Sequence, residues 1–340
     1  MELFLDSVDM SEVEAAAEFG FLEGITTTPT FMYRHGIKDV DSAIARFSSM
    51  VKQVHVEALG DVCEQILAEA KRLSQLPGLA RPLTYKIPVT NEGLKAAHRL
   101  TQDGHKTNIH LVYTLNQGYL AAASGAAYIC PLVGRLHDQG HDSFALIEQL
   151  VNMVEQYGYP SKVMVSSVRH PDHVRMAILC GAHAVTLPWH VLQILAHNVL
   201  TGRGVADFNI HTKLTTYTVS QVISAANPIV SEEATVAEAA IQMTKSKLGI
   251  VSIVDKEGRL IGVFTDGDLR RSVDRKNLAQ EKVGMLMSRH PKCLPKDTLL
   301  QDAVTFLHET RVDNLVVVDD EQRPMGIIDV QDLLREGLMG

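Results

Sequence analysis

"LTYKIPVT", residues 83–90, sets a lysine in the middle of an otherwise apolar, strand-like run. Leu83, Tyr85, Ile87 and Val89 fall on one face of an extended chain, Thr84 and Lys86 on the other. In an antiparallel sheet with one wet face, the ammonium would be a solvated surface charge. In a parallel sheet, packed on both faces, it would be buried. The sheet that holds this strand decides between the two.

Seven other short apolar runs share its texture: LFLD (3–6), GITTTP (24–29), QVHVEAL (53–59), IHLVYT (109–114), AYICPLV (127–133), KVMVSSV (162–168) and AVTLPW (184–189). Helical patterns alternate with them, among them VEAAAEF (13–19), DVCEQILAEAKRL (61–73), NEGLKAAHRLTQ (91–102) and ALIEQLVNMVEQY (145–157). Eight strands separated by helices predict an α/β fold, a parallel (β/α)8 TIM barrel, over an open doubly wound sheet. No GxGxxG follows the first strand, which weakens a dinucleotide-binding reading further.

In such a barrel the carboxyl ends of the strands converge on the face that carries catalysis. Those ends hold Asp6, Thr26 to Thr28, Glu57, Lys86, His110, Cys130, Arg135, Ser167 and Arg169. A lysine desolvated in a barrel gives up its proton more readily than one in water and can attack a ketose carbonyl to form an imine. The imine is an electron sink for breaking the neighbouring carbon–carbon bond. Asp6 is placed to act as base on the substrate hydroxyl, and Glu57 to manage the water of imine formation. Arg135 and Arg169, with Ser167, suit a phosphate dianion. The scheme needs no metal.

The bulk properties fit a globular chain of two domains. At 340 residues it exceeds a typical single core. A formal net charge of -8 argues against a general nucleic-acid surface. Cys63, Cys130, Cys180 and Cys293 are scattered without CxxC spacing, which predicts reduced thiols and a cytoplasmic setting. The N-terminus has no signal-peptide pattern, and no apolar run reaches the roughly 18 residues of a membrane span. His137 and His141 in "RLHDQGHD" (135–142) look superficially like metal ligands, but the lysine chemistry gives them no task. Lys52 and Lys162 fall at the amino ends of strands, where barrel lysines are exposed.

The texture changes near residue 214, dividing the chain into 1–213 and 214–340. "NPIVSEEATVAEAAIQM" (227–243) is echoed by "HPKCLPKDTLLQDAVTFL" (290–307). "GIVSIVDKEGRLIGVFTDGDLRRSV" (249–273) is echoed by "NLVVVDDEQRPMGIIDVQDLLREGL" (314–338). Gly262 and Gly326 lie 64 residues apart, as do Asp268 and Asp332. Each unit, about 220–276 and 283–340, reads strand, helix, strand, turn, strand, helix. Neither could bury both faces alone, so the two should pack as one small domain.

On "LIGVFTDGDLRR" (260–271) and "PMGIIDVQDLLR" (324–335), this half resembles a tandem pair of CBS domains, in particular the pair appended to arabinose-5-phosphate isomerases. The resemblance implies an adenine or cytidine nucleotide as regulator. Its ribose-binding Thr/Ser-x-x-Asp pattern falls on Thr265 and Asp268. In the second repeat Asp329 replaces the hydroxyl residue while Asp332 remains, so one complete site is expected. A dimerisation module that binds nothing is the other reading.

Residues 1 to about 212 resemble the small transaldolase and fructose-6-phosphate aldolase family of class I aldolase barrels. The resemblance runs through "LFLDS", "GITTTPT", "YKIPVTNEG", "VYTLNQGYLAAASGAAYICPLVGR" and "SSVRHPDHVRMAILCGAHAVTLP". It implies Lys86 as the Schiff-base lysine, Asp6 as acid/base and Glu57 as the carboxylate that orients the catalytic water. Glutamine at that last position marks the aldolase branch, so Glu57 favours the transaldolase branch. The family's phosphate trio falls on Arg135, Ser167 and Arg169. Departures cluster on the donor side: Thr28 stands for an asparagine that binds donor hydroxyls, and Cys130 and Leu132 stand for the serine and aromatic of "SPF". His110 stands for a hydroxyl residue that holds the water, two after the retained Asn108, and is either a proton relay or a space-filling histidine. Thr26, Thr28, Asn108 and Cys130 join the trio as expected substrate contacts.

The implied activity is transfer of a dihydroxyacetone unit from a phosphorylated ketose to an aldehyde acceptor in carbohydrate metabolism, with no catalytic cofactor and a homo-oligomeric assembly. The alternatives are an aldolase that releases the free ketone, and a catalytically silent barrel that senses sugar phosphate and nucleotide.

Overall fold

The computed structural model describes residues 1–224 and 226–339 and divides into two compact units, Met1–His197 and Asn198–Gly340. In the first, β1 (Glu2–Asp6), β2 (Gly24–Thr26), β3 (Gln53–Glu57), β4 (Thr84–Pro88), β5 (Lys106–Val112), β6 (Tyr128–Pro131), β7 (Lys162–Val165) and β8 (Ala184–Leu187) close a barrel in sequence order. All eight neighbouring pairs are parallel, β8 returning to β1. The (β/α)8 expectation is met, and every expected strand is present.

The strands are buried on both faces. Outward residues such as Leu5, Ile25, Val56, Ile87, Ile109 and Ile129 lie beneath the helices, each worth about 1.5–3 kcal/mol of burial. Inward, Phe4, His55 and Tyr128 stack across the lumen, with ring centroids 4.8 Å apart for Phe4–His55 and 4.9 Å for His55–Tyr128. Met164 and Ala184 complete this floor. The lumen above it is therefore a blind pocket, and Lys86 points into it rather than into water. β5 starts three residues before its sequence estimate, because Thr107 and Asn108 are polar yet wholly buried.

The second unit repeats one motif. A first sheet runs β12 (Ser288–Arg289), β11 (Leu260–Thr265), β10 (Ile250–Val254), β9 (Ile229–Ser231); a second runs β13 (Cys293–Pro295), β14 (Asn314–Val318), β15 (Pro324–Asp329). Ile253 faces Gly262 across β10–β11, as Val317 faces Gly326 across β14–β15. Both hairpins shift register at the same step, and the preceding helices both end on a left-handed residue, Lys247 and Arg311. Leu248, Ile250 and Val263 of one repeat pack with Val316, Val318 and Ile327 of the other, so the two bury each other as expected.

The division at His197/Asn198 comes earlier than the sequence boundary at 213/214. The helix Val199–Thr216 has no fully buried residue, and its partly buried Ile210 and Leu214 pack on the core around Val219, Leu294 and Leu300. Among the described residues no helix is long and apolar enough to cross a membrane.

Candidate active site

Strand register sets the depth of each inward side chain. Glu57 lies beside Lys86, Lys86 beside Asn108, and His110 beside Cys130. Asp6, Thr26, Glu57, Lys86, His110, Cys130, Ser166 and Thr186 line one cavity of about 600 Å³ at the carboxyl ends of the strands. That volume suits a small-molecule ligand. A smaller recess at the opposite end, near Lys106, Tyr128 and Lys162, does not reach these groups.

Lys86 is 5% exposed. Its Nζ donates to the carbonyl of Thr27 at 2.8 Å and stands 4.0 Å from Glu57 Oε2. The other oxygen of Glu57, Oε1, meets His110 Nε2 at 2.5 Å. One carboxylate thus links the amine to an imidazole. Burial holds His110 below its ordinary range, against the opposing pull of Glu57, so the ring is neutral near pH 7. Asp6 accepts from Thr26 Oγ1 at 2.8 Å, and that hydroxyl lies 2.6 Å from Thr186 Oγ1. Burial raises the Asp6 carboxyl above its ordinary value, with Lys86 and Thr26 acting in the opposite direction. Two carboxylates and one lysine here have distinct electrostatic surroundings, as acid–base chemistry requires. Burial pushes the Cys130 thiol up to about 11, so it serves as a neutral wall.

Arg135, Ser167 and Arg169 line the same cavity from the segments after β6 and β7. Gly134 makes their approach feasible: a Cβ there would meet the Ser167 carbonyl at 2.1 Å and Arg169 Nε at 2.9 Å. Ser167 itself takes φ 58°, a left-handed turn that costs a non-glycine residue energy. Arg169 clasps Asp138 through both terminal nitrogens, one at 2.5 Å, and Arg135 donates to Tyr113 Oη at 3.4 Å.

One expected substrate contact lies away from the cavity. Asn108 does not line the cavity; it is wholly buried one layer below His110, with its Nδ2 2.9 Å from His55 Nδ1. A two-residue step along the strand preserves the face but changes the depth. Thr28 reaches the cavity, but it caps the helix Pro29–Arg34, its Oγ1 accepting from the Phe31 amide at 3.3 Å. His137 Nδ1 lies 3.3 Å from His173 Nε2, and among the described residues no three metal-type ligands converge.

The sequence reading missed Thr186 and Arg34, both cavity residues. Thr186 was detectable as a polar residue in the apolar run of β8. Arg34 was not, since it stands on a helix.

In the second unit, Thr265 and Asp268 form a reciprocal cap on the helix Asp266–Arg271. Asp268 is buried; Oδ2 accepts from the Thr265 amide and hydroxyl, and Oδ1 from Arg271 at 2.6 Å and Ser288 at 3.2 Å. Asp332 pairs, among the described residues, only with Arg335, at 3.1 Å, and is half-exposed. The repeats therefore differ as their sequences suggest.

Comparison with known proteins follows the same division. The family described as Transaldolase/Fructose-6-phosphate aldolase matches residues 3–248, and the CBS domain family matches residues 283–338, the second repeat. A probable transaldolase of Maridesulfovibrio salexigens is 38% identical over 209 residues, 62% of this chain and 96% of that protein. One of Desulforudis audaxviator is 39% identical over 210 residues, 61% and 95% of the two chains. Among solved structures, the CBS-pair protein CBSX2 of Arabidopsis thaliana is 26% identical, with a TM-score of 0.33 over 36% of this chain and 96% of that one. A CBS domain pair solved with 5'-methylthioadenosine and S-adenosyl-L-methionine is 22% identical, with a TM-score of 0.32 over 35% and 93%.

Proposed function

The chain belongs to the transaldolase/fructose-6-phosphate aldolase family and is a transaldolase-like enzyme, and we propose that it moves a dihydroxyacetone unit from a phosphorylated ketose to an aldehyde through an imine on Lys86. The observation that carries this reading is a nearly buried amine beside Glu57 in a cavity whose rim holds Arg135, Ser167 and Arg169.

The amine of Lys86 attacks the C2 carbonyl, and the carbinolamine loses water to form the imine. Glu57 and His110 hold and direct that water, the neutral imidazole passing a proton along the 2.5 Å contact. Asp6 takes the C4 hydroxyl proton as the C3–C4 bond breaks and its electron pair enters the imine, leaving an enamine. The aldehyde phosphate departs from the arginine rim. An acceptor aldehyde enters, the enamine attacks it, and Asp6 returns the proton. Hydrolysis then frees Lys86.

The second unit is proposed to bind an adenine or cytidine nucleotide at Thr265 and Asp268 and to adjust the barrel's activity. The CBS match and the buried, polar setting of Asp268 support this. Assembly as a homo-oligomer in the cytoplasm belongs to the same proposal.

The test is acceptor dependence. Fructose 6-phosphate with an aldose phosphate acceptor should yield a new ketose phosphate much faster than either compound alone reacts. Equal release of free dihydroxyacetone with and without acceptor would make the protein an aldolase. No reaction of any ketose phosphate would leave the sensor reading.

A further inference from the structure

Thr186 lines the cavity, is 2% exposed, and has no part in the reaction proposed above. β2 and β8 are the two neighbours of β1, so Thr26 and Thr186 flank the strand that carries Asp6. Thr26 is the register partner of Asp6, whereas Thr186 pairs with Phe4, two residues deeper on the same inward face. The two threonine hydroxyls nevertheless meet, Oγ1 to Oγ1 at 2.6 Å, and Thr26 Oγ1 donates to Asp6 Oδ1 at 2.8 Å. A hydroxyl carries one proton, and an ionised carboxylate only accepts. The Thr26 proton therefore points at Asp6, and the proton between the two threonines must come from Thr186. That fixes the direction of the chain: Thr186 donates to Thr26, and Thr26 to Asp6. Donors chained in this way polarise one another and strengthen the last bond. Burial disfavours the ionised form of Asp6, and the bond from Thr26 opposes that cost together with Lys86. Among the described residues Asp6 Oδ2 has no hydrogen-bond partner, which leaves it for the substrate. Thr26, its proton already given to Asp6, can meet a substrate hydroxyl only as an acceptor.

We infer that Thr186 is a positioning residue for carbon–carbon cleavage: acting through Thr26, it keeps Asp6 oriented with Oδ2 facing the C4 hydroxyl. This deepens the Schiff-base reading and rests on it. In the step it serves, the C4 hydroxyl proton passes to Asp6 Oδ2 and the C3–C4 bond breaks. The electron pair of that bond enters the imine, and C4 becomes the aldehyde carbon. The two threonine protons stay in place throughout. Imine formation, which uses Lys86, Glu57 and His110, does not draw on this chain, so the two steps separate in a variant that lacks it.

The test is a double-mutant cycle read step by step. Wild type, Thr186→Val, Thr26→Val and the double variant are mixed with fructose 6-phosphate and quenched with borohydride at times within the first turnover. Peptide mass spectrometry then separates six-carbon from three-carbon adducts on Lys86. Thr186→Val removes the hydroxyl and keeps the shape. It should slow the appearance of the three-carbon adduct about 3- to 10-fold, the range of one hydrogen bond, with total adduct unchanged. Thr186→Ser, which keeps the hydroxyl and loses the methyl, should cleave at the wild-type rate. In the Thr26→Val background, Thr186→Val should add nothing. Cleavage at the wild-type rate by Thr186→Val, additive effects of the two valines, or equal damage in Thr186→Ser would reduce Thr186 to a packing role and overturn the inference alone. No adduct in wild type with fructose 6-phosphate or any other ketose phosphate would overturn the Schiff-base reading and this inference together.

Discussion

Replacing Lys86 by methionine separates a catalytic ammonium from a structural one. Methionine keeps the unbranched chain and much of the volume while removing the charge. Three terms decide the effect on stability. The attraction between Lys86 and Glu57 at 4.0 Å is about 4 kcal/mol at an effective dielectric of 20. Dehydrating the ammonium costs several kcal/mol, an opposing term of similar size. The hydrogen bond to Thr27 contributes about 1 kcal/mol net. Losing one member of a buried pair usually destabilises strongly, but Glu57 keeps its 2.5 Å contact with His110 and is not stranded. The sum is within about 2 kcal/mol of zero. Urea unfolding followed by the fluorescence of Trp189 measures it, because this single tryptophan packs against the barrel core. Lys86→Met should lose all turnover and retain wild-type stability to within about 2 kcal/mol. A loss above about 4 kcal/mol would mean that the amine holds the barrel together, and the reasoning would fail.

Three further outcomes follow, two from the same site and one from the second unit. Asp6→Asn should abolish turnover yet stabilise the barrel at pH 8. The folded carboxyl titrates above its ordinary 3.8, so its ionisation costs stability as pH rises, and the advantage of the variant should vanish as pH falls toward 3.8; a constant advantage at all pH values would rule out charge burial as the cause. The neutral His110 titrates below 6.5, so the acid limb of kcat/KM should have its midpoint below 6.5 and move in His110→Asn, and an unmoved limb would assign it to Asp6 alone. In the second unit, AMP or CTP should raise the melting temperature, and Asp268→Ala should remove the shift while Asp332→Ala preserves it. The reverse pattern would place the nucleotide in the second repeat.

Much of this was legible because parallel strands read as apolar runs, against which a lysine, an aspartate or a glutamate stands out. Lys86, Asp6 and Glu57 were found that way. Depth was not legible: Asn108 and His110 share a face, and only the stagger of the barrel puts one in the floor and the other at the mouth. Arg34 was hidden because its reach into the cavity depends on the direction of a six-residue helix. Thr265-x-x-Asp268 is ambiguous by nature, since the pattern that binds a ribose is also the one that caps a helix. The compact units divide before residue 213 because the helix Val199–Thr216 carries apolar residues, Ile210 and Leu214, that pack on the core of the following unit.

The central claim is an imine on Lys86. Incubation with fructose 6-phosphate and a panel of other ketose phosphates, followed by borohydride reduction and peptide mass spectrometry, tests it most directly. The account predicts a mass increase confined to the peptide containing Lys86 and absent from Lys86→Met. An adduct on another lysine, or none with any ketose phosphate, would contradict it.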